Sequence, residues 1–574
     1  MIKLLKSLTV YKWIVLAVLG LVFIQSMADL YLPTLMADII DKGVVVGDTA
    51  YIWKIGGIML LVAAFGAVAS IIASFYSSKA AMGFGRDIRH KVFKHVEQFS
   101  LQDFDQFGTA SLITRTTNDI TQVQQVVIMM LRMVVSAPIM LVGGIIMAVS
   151  KDAKLSLVIV LTMPVLVGAV LLIMYKGVPL FKTVQTKLDQ LNLVLRENLT
   201  GIRVIRAFNR EKQEKVRLQK ANKELTDVSI KVNKVMAFLM PVMMLVMNIT
   251  VVLIIWFGGI RIDGGSMQIG DLMAFIQYVM QIMFALVMAS MMFIMVPRAA
   301  VSANRINEVL NTKPTALNEG TKLANKERGT LEFDHVSFSY PGAEESALSN
   351  ITFQAKSGEI TAIIGGTGSG KSTLVNLVPR FYDVTSGTIR VNGIDIRESS
   401  QDEVRSKIGF VPQKALLFSG TIKENIRFGK QDATEEEIKL AARIAQAEDF
   451  IGKMDEGYNS VISQGGSNVS GGQKQRLSIA RALVRKPDIY IFDDSFSALD
   501  FKTEANLREA LKGETQNATT IIVAQRVSTV ADADQIIVLD KGEISGIGKH
   551  EDLLENNDVY REIVESQLSE EEIA

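Results

Sequence analysis

GGTGSGKS, residues 365–372, decides the reading of this chain. The octet matches G-x-x-x-x-G-K-[ST], where glycines leave backbone N–H groups free to surround a triphosphate. Its flanks supply the context such a loop requires. Residues 360–364 are apolar and β-rich, as in a buried strand, and residues 372–377 open a helix. Lys371 is expected to reach the β- and γ-phosphates and Ser372 to hold Mg²⁺. A second apolar strand, IYIFDD at 489–494, ends in two carboxylates. The first of them, Asp493, is the acidic partner expected for the same Mg²⁺.

The surroundings of the loop define one half of the chain. After Pro314 the sequence turns polar, and from Leu331 short β-rich runs alternate with helical patterns. That alternation predicts an α/β domain with a mostly parallel sheet. The other half is different in kind. Six uncharged apolar runs (13–28, 55–77, 133–150, 155–175, 235–260 and 272–297) precede residue 300 and none follows it. About 20 residues of helix cross a bilayer, so these runs predict six membrane helices. The expected division is a transmembrane domain over 1–312, a linker over 313–330 and a nucleotide-binding domain over 331–574. In fold class this is an α-helical six-helix transmembrane domain fused to an α/β P-loop nucleotide-binding domain.

Orientation follows from Lys and Arg. Two long connections are basic, one carrying Lys79, Arg86, Arg89 and Arg115, the other Lys182, Arg196, Arg203 and Arg210. Both are expected in the cytoplasm, with the N-terminus beside Lys3 and Lys6, in a multi-pass protein of the cell membrane. Helices continued into these loops at about 1.5 Å per residue would extend far from the bilayer. Gly108 and Gly201 sit where such helices would turn at their tips. Within the runs, Asn248, Gln277 and Gln281 are read as interhelical hydrogen-bonding groups or cavity-facing ones. Asp29, closing the first run, reads as an interfacial residue at the outer end of its helix, and Arg132 as one near the inner surface. The last two runs are rich in methionine, among them Met243, Met283 and Met288. Thioethers suit a surface that repacks around varied apolar ligands, and serve equally as packing between helices.

Composition excludes several classes. The 574 residues are 49% hydrophobic with a net charge of +1, which offers nucleic acid no bulk attraction. The absence of cysteine removes disulfides, thiolate catalysis and cysteine-held metals. The four histidines, His90, His95, His335 and His550, show no metal-ligand spacing.

Four further stretches carry a resemblance. NVSGGQKQRLSIARAL (468–483), Gln413 in FVPQ, Tyr340 in FSYP and SALD (497–500) occur in an order and spacing that resembles the ATP-binding-cassette exporters over nearly the whole chain. The resemblance implies ATP held by Gly365, Gly366, Thr367, Gly368, Ser369, Gly370, Lys371, Ser372 and Thr373, with Tyr340 stacked on adenine. It implies Mg²⁺ at Ser372, Gln413 and Asp493, and a D-loop at Asp500. Ser470, Gly471, Gly472 and Gln473 would act on the opposite site of a dimer. The two loop tips resemble the elements that couple membrane helices to nucleotide domains.

Three positions depart from the pattern of a hydrolysing member. Asp494 stands where such a chain shows glutamate, Gln525 in IIVAQR (521–526) where it shows histidine, and Gln464 where a glutamate is usual. A carboxylate one methylene shorter is withdrawn by roughly an ångström, enough to cost on the order of 100-fold. Glutamine carries neither the charge nor the proton relay of histidine. The pattern resembles the degenerate-site half of bacterial heterodimeric multidrug exporters. It implies a second half-transporter bringing the catalytic Glu and His, a hydrophobic small-molecule cargo, the lipid bilayer as surroundings and no nucleic acid. A homodimeric lipid or peptide exporter and an ATP-gated channel or regulatory subunit stay open as alternatives.

Overall fold

The computed structural model describes residues 1–314 and 328–567, without the side chains of Ile2, Val178, Leu239, Ser290, Met291, Phe293 and Ile294. Most of the expected linker, 315–327, lies outside the described residues. The chain divides into two compact units, one of Met1–Glu97 with Ala110–Thr312 and one of Gln98–Thr109 with Lys313–Ala574. The tip of the first long loop, Gln98–Thr109, thus folds with the second unit.

The first unit is helical throughout. Six helical stretches are long and apolar enough to cross a membrane. Each outruns its apolar run: Thr49–Val96 is a helix of 48 residues, about 72 Å long, against a hydrocarbon core of about 30 Å. Its apolar stretch presents Leu60, Leu61, Phe65 and Ile71 outward, as a lipid-facing surface requires. Between the helices Phe275, Tyr278, Ile282, Leu166 and Ile254 form a buried core, and the Thr34 and Tyr278 hydroxyls meet at 2.6 Å. The short connections gather at one end, tied by Lys151–Asp271 at 2.7 Å, by Arg261–Asp152 at 2.6 Å and by the Gly270 N–H donating to Asp41.

Asp29 does not end the first membrane helix. That helix runs Lys12–Asp38 and continues as a π-helical turn, Ile39–Val44, which puts Asp29 near mid-length. A single carboxylate that hydrogen-bonds Gln25 one turn earlier is compatible with helix, so a charge marks the end of an apolar run but not of the element. Of the polar residues within the runs, Gln277 Nε2 donates to Met36 Sδ at 3.1 Å and Gln281 Nε2 to the Asp29 carbonyl at 3.0 Å. Asn248 is exposed.

The second unit is built on two main sheets, with a short two-stranded pair, Gly420–Thr421 and Val461–Ile462, besides. The larger orders its strands Glu543–Gly548, Gln535–Asp540, Ile360–Gly365, Thr519–Val523, Ile489–Asp493 and Ile408–Val411, parallel except at the first. Its central strands are buried on both faces, which is why they read as unbroken apolar runs. The smaller, antiparallel sheet orders Leu348–Ala355, Leu331–Phe338, Ser386–Val391 and Ile394–Asp395.

One glycine of the smaller sheet is irreplaceable on steric grounds. Gly387 has φ 81°, and a Cβ there would strike the His335 carbonyl in the paired strand. Left-handed backbone and overpacking together cost an alanine roughly 2–4 kcal/mol. Gly387→Ala is therefore expected to lower the melting transition of this unit by on the order of 10 °C. Thermal unfolding of the purified protein, followed by tryptophan-independent dye fluorescence, measures it.

Candidate functional site

Ile360–Gly365 is an interior strand of the larger sheet, and the loop after it leads into the helix Lys371–Leu377. The loop turns through left-handed glycines, Gly368 at φ 83° and Gly370 at φ 98°. A Cβ on Gly370 would lie 2.8 Å from Leu348 Cδ2 and 3.0 Å from the Ala347 carbonyl, so the turn packs tightly on its outer side. On the inner side Gly366 and Gly368 face open space, where any side chain would fill the cradle. The loop lines a cavity of 590 Å³ together with Tyr340, Gln413, Gln525 and, from the end of the chain, Ile563, Ser566 and Gln567. This glycine-floored cradle fits a phosphate chain.

Lys371 reaches back across the loop, donating to the Gly365 carbonyl at 2.8 Å and the Gly366 carbonyl at 2.7 Å. Burial pulls its pKa below the ordinary lysine value, against the pull of Asp494 and Asp493. Ser372 Oγ donates to Asp493 Oδ1 at 3.0 Å. Burial pushes the Asp493 carboxyl above the usual range, and the Ser372 hydrogen bond partly offsets it. A hydroxyl and a carboxylate at this separation are suitable oxygen ligands for Mg²⁺. Tyr340 stands at the rim, its hydroxyl 3.1 Å from Thr373 Oγ1 and its ring edge-on to Phe338.

Asp494 follows the strand Ile489–Asp493 at φ 47°, a left-handed conformation that aspartate tolerates better than most residues. One of its oxygens, Oδ2, accepts two amides, Gln413 Nε2 at 3.0 Å and Gln525 Nε2 at 2.8 Å. Two glutamines from separate loops therefore converge on the carboxylate. Sequence reasoning missed the group that holds one of them. Gln567 donates from Nε2 to the Gln525 carbonyl at 2.8 Å and accepts the Val527 N–H at 2.9 Å. No local pattern marks Gln567, because its partners lie about 40 residues upstream and meet it only through the fold.

The SGGQ segment is elsewhere on this unit and does not line the cavity. Ser470 caps the helix Gly471–Leu483: its Oγ accepts the Gln473 N–H at 3.3 Å, and Gln473 Oε1 accepts the Ser470 N–H at 2.9 Å. Asp500 likewise caps Phe501–Glu514, accepting the Thr503 N–H at 3.0 Å. Gln464 lies in a short 3₁₀ turn, Gln464–Gly466, ahead of the signature.

Of the two loop tips, the first is seated on the nucleotide-site unit. Ser100 and Asp103 cap the helix Leu101–Phe107 reciprocally, and Gly108 ends it at φ 73°. Tyr382 donates from its hydroxyl to Asp105 Oδ2 at 3.0 Å, and burial with the neighbouring carboxylate pushes the phenol pKa up. The second tip, Ile202–Ala207, follows Gly201 at φ −90°, a conformation open to any residue. Its Val204 and the following Phe208 are 60% and 72% exposed.

Comparison with known families agrees with this arrangement. The family described as ABC transporter transmembrane region matches residues 15–287, and the family described as ABC transporter matches residues 348–497. An uncharacterized ABC transporter ATP-binding protein of Mycobacterium tuberculosis is 44% identical over 563 residues, covering 97% of this chain and 96% of its own. The chain belongs to the ABC transporter family. An ATP-dependent lipid A-core flippase of Desulfotalea psychrophila is 35% identical to this ABC transporter over 486 residues, 83% of each. The structure of a bacterial Atm1-family ABC exporter with ATP bound superposes with a TM-score of 0.80 at 25% identity, covering 98% of this chain and 99% of that one. The chain is thus an ABC exporter half-transporter, six membrane-spanning helices fused to a nucleotide-binding domain. It is a multi-pass membrane protein, and the fold implies a cytoplasmic ATP-binding domain with ATPase activity.

Proposed function

We propose that this ABC transporter chain is the slow half of a heterodimeric exporter of hydrophobic small molecules. The observation that carries the reading is the Asp494 carboxylate, engaged through one oxygen by the Gln413 and Gln525 amides. Hydrolysis needs a carboxylate that orients water and a neighbour able to stabilise charge on the transferred phosphoryl group. Here the carboxylate is short and the side chains that hydrogen-bond it are neutral amides. In this reading the glycine loop, Lys371 and Tyr340 retain ATP, while Ser372, Asp493 and Gln413 hold the Mg²⁺ that neutralises phosphate charge. Asp494 and Gln525 keep turnover low. Ser470, Gly471, Gly472 and Gln473, outside the chain's own cavity, complete the site of a partner that carries glutamate and histidine. Asp500 lies in the adjoining D-loop.

ATP turnover of the purified chain, alone and co-expressed with a candidate second half-transporter, tests this. Turnover near zero alone, rising and becoming drug-stimulated with the partner, is the expected result. Robust hydrolysis by the chain alone would favour a homodimeric exporter. The relative named as a lipid A-core flippase makes lipid the cargo to test second.

A further inference from the structure

A second cavity, of 580 Å³, lies in the transmembrane unit between the helices Lys12–Asp38, Ile120–Lys151 and Ile269–Asn311. Its lining is mainly apolar, with Met133, Met140, Phe284 and Met288, yet it also contains Asp29 and Gln281. Asp41 and Gly270 mark the level of the short connections, so Asp29 lies about 18 Å and Gln281 about 16 Å along their helices from that end. Both are therefore near the middle of a hydrocarbon core about 30 Å thick. An ionisable group at that depth is costly and marks a pathway or ligand site.

The hydrogen-bonding inventory says what such a ligand must bring. Gln281 spends an N–H on the Asp29 carbonyl, and its Oε1 is buried with no partner among the described residues. The Asp29 carboxyl has Gln25 as a hydrogen-bond partner and, among the described residues, no adjoining cation. Arg132 shares the cavity, but by helix rise it is about 28 Å from Lys151 at the connection end, roughly 10 Å nearer the opposite rim than Asp29. Mid-depth, the cavity thus offers a carboxylate and an unmet amide oxygen, two acceptors surrounded by thioethers and an aromatic ring. An acceptor buried without a donor is the unusual feature, and a donor-bearing ligand would remove the deficit.

We infer that this cavity selects amphiphiles carrying a protonated amine, whose N–H groups are taken by Asp29 and Gln281 while the apolar body lies against Met133, Phe284 and Met288. The inference rests on the export function proposed above and gives its cargo a charge. The test is equilibrium binding of daunorubicin, an apolar ring system with one primary amine, to the full chain in nanodiscs, beside its uncharged N-acetyl derivative. The amine should bind at least about 10-fold more tightly, the loss expected for one charge-assisted hydrogen bond. Asp29→Asn should abolish that preference and Asp29→Glu should keep it. Should Asp29→Asn fail to fold, Gln281→Leu is read in the same way and should narrow the preference. Equal binding of the two compounds, or a preference that survives Asp29→Asn, overturns the proposal. So does tighter binding of dodecyl phosphate that is lost in Arg132→Ala, which would make the cargo anionic. Neither nucleotide turnover nor a partner enters this measurement, so failure of the slow-site reading would show in the ATPase comparison and not here.

Discussion

Asp494→Glu combined with Gln525→His should raise ATP turnover of the purified chain by about 100-fold or more. Each substitution restores a separate element of the chemistry. Glutamate returns the methylene that brings the carboxylate to the water, a displacement of about an ångström worth on the order of 100-fold. Histidine returns a group that can carry charge and a proton, and general acid–base assistance contributes about 100-fold or more. Neither is expected to act fully alone. With Gln525 retained, a glutamate at 494 would still face amide donors from Gln413 and Gln525 like those that now hold Asp494 Oδ2. With Asp494 retained, a histidine would have no aligned water to assist. Phosphate release at saturating Mg-ATP, compared among the wild type, both single variants and the double variant, decides it. A wild-type rate already high, or a double variant no faster, would mean that Asp494 and Gln525 are not what limits the site. Gln567→Ala should then blunt the gain, because Gln567 grips the backbone carbonyl of the position that histidine would occupy and the N–H two residues on.

Lys371→Ala should weaken ATP binding by about 10- to 100-fold, the worth of one charge-assisted hydrogen bond to a phosphate. Among the described residues this lysine hydrogen-bonds no carboxylate; its ammonium rests on the Gly365 and Gly366 carbonyls, which hold it over the cradle. Direct titration with a fluorescent ATP analogue measures the loss. A second signature separates a phosphate-binding lysine from one that only braces the loop. Burial lowers the pKa of Lys371, and a triphosphate beside it would raise that pKa. The complex then binds more protons than the free protein, so affinity falls as pH rises through the free-state pKa. Wild-type affinity should show that alkaline decline, and Lys371→Ala should not. A decline of equal size in both proteins would assign it to another group.

The two predictions rest on residues of different visibility. Gly365 to Ser372 could be read directly, because a phosphate loop is a contiguous set of backbone conformations with glycine at the left-handed positions Gly368 and Gly370. Asp493 could be read because a buried parallel strand is an unbroken apolar run, and a charge at its end is conspicuous. That Gln413 and Gln525 share one oxygen of Asp494 could not be read. Their proximity depends on which strands neighbour which in the sheet, and no local spacing encodes it.

The sequence by itself determined the class of this protein: six apolar runs for the membrane and a glycine loop for the nucleotide, beside three positions, Asp494, Gln525 and Gln464, that depart from the pattern of a hydrolysing member. These are local properties, set by hydropathy and by backbone torsions within a few residues. Tertiary structure alone decided the rest. It carried the first helix past Asp29 to Asp38 and so moved a carboxylate from the expected end of that helix to near its mid-length. It seated Gln98–Thr109 on the second unit through Tyr382 and Asp105, and brought Gln567 against the segment that holds Gln525. Each of these depends on contacts between residues far apart in the chain, which form only when the packed elements hold them within hydrogen-bond reach.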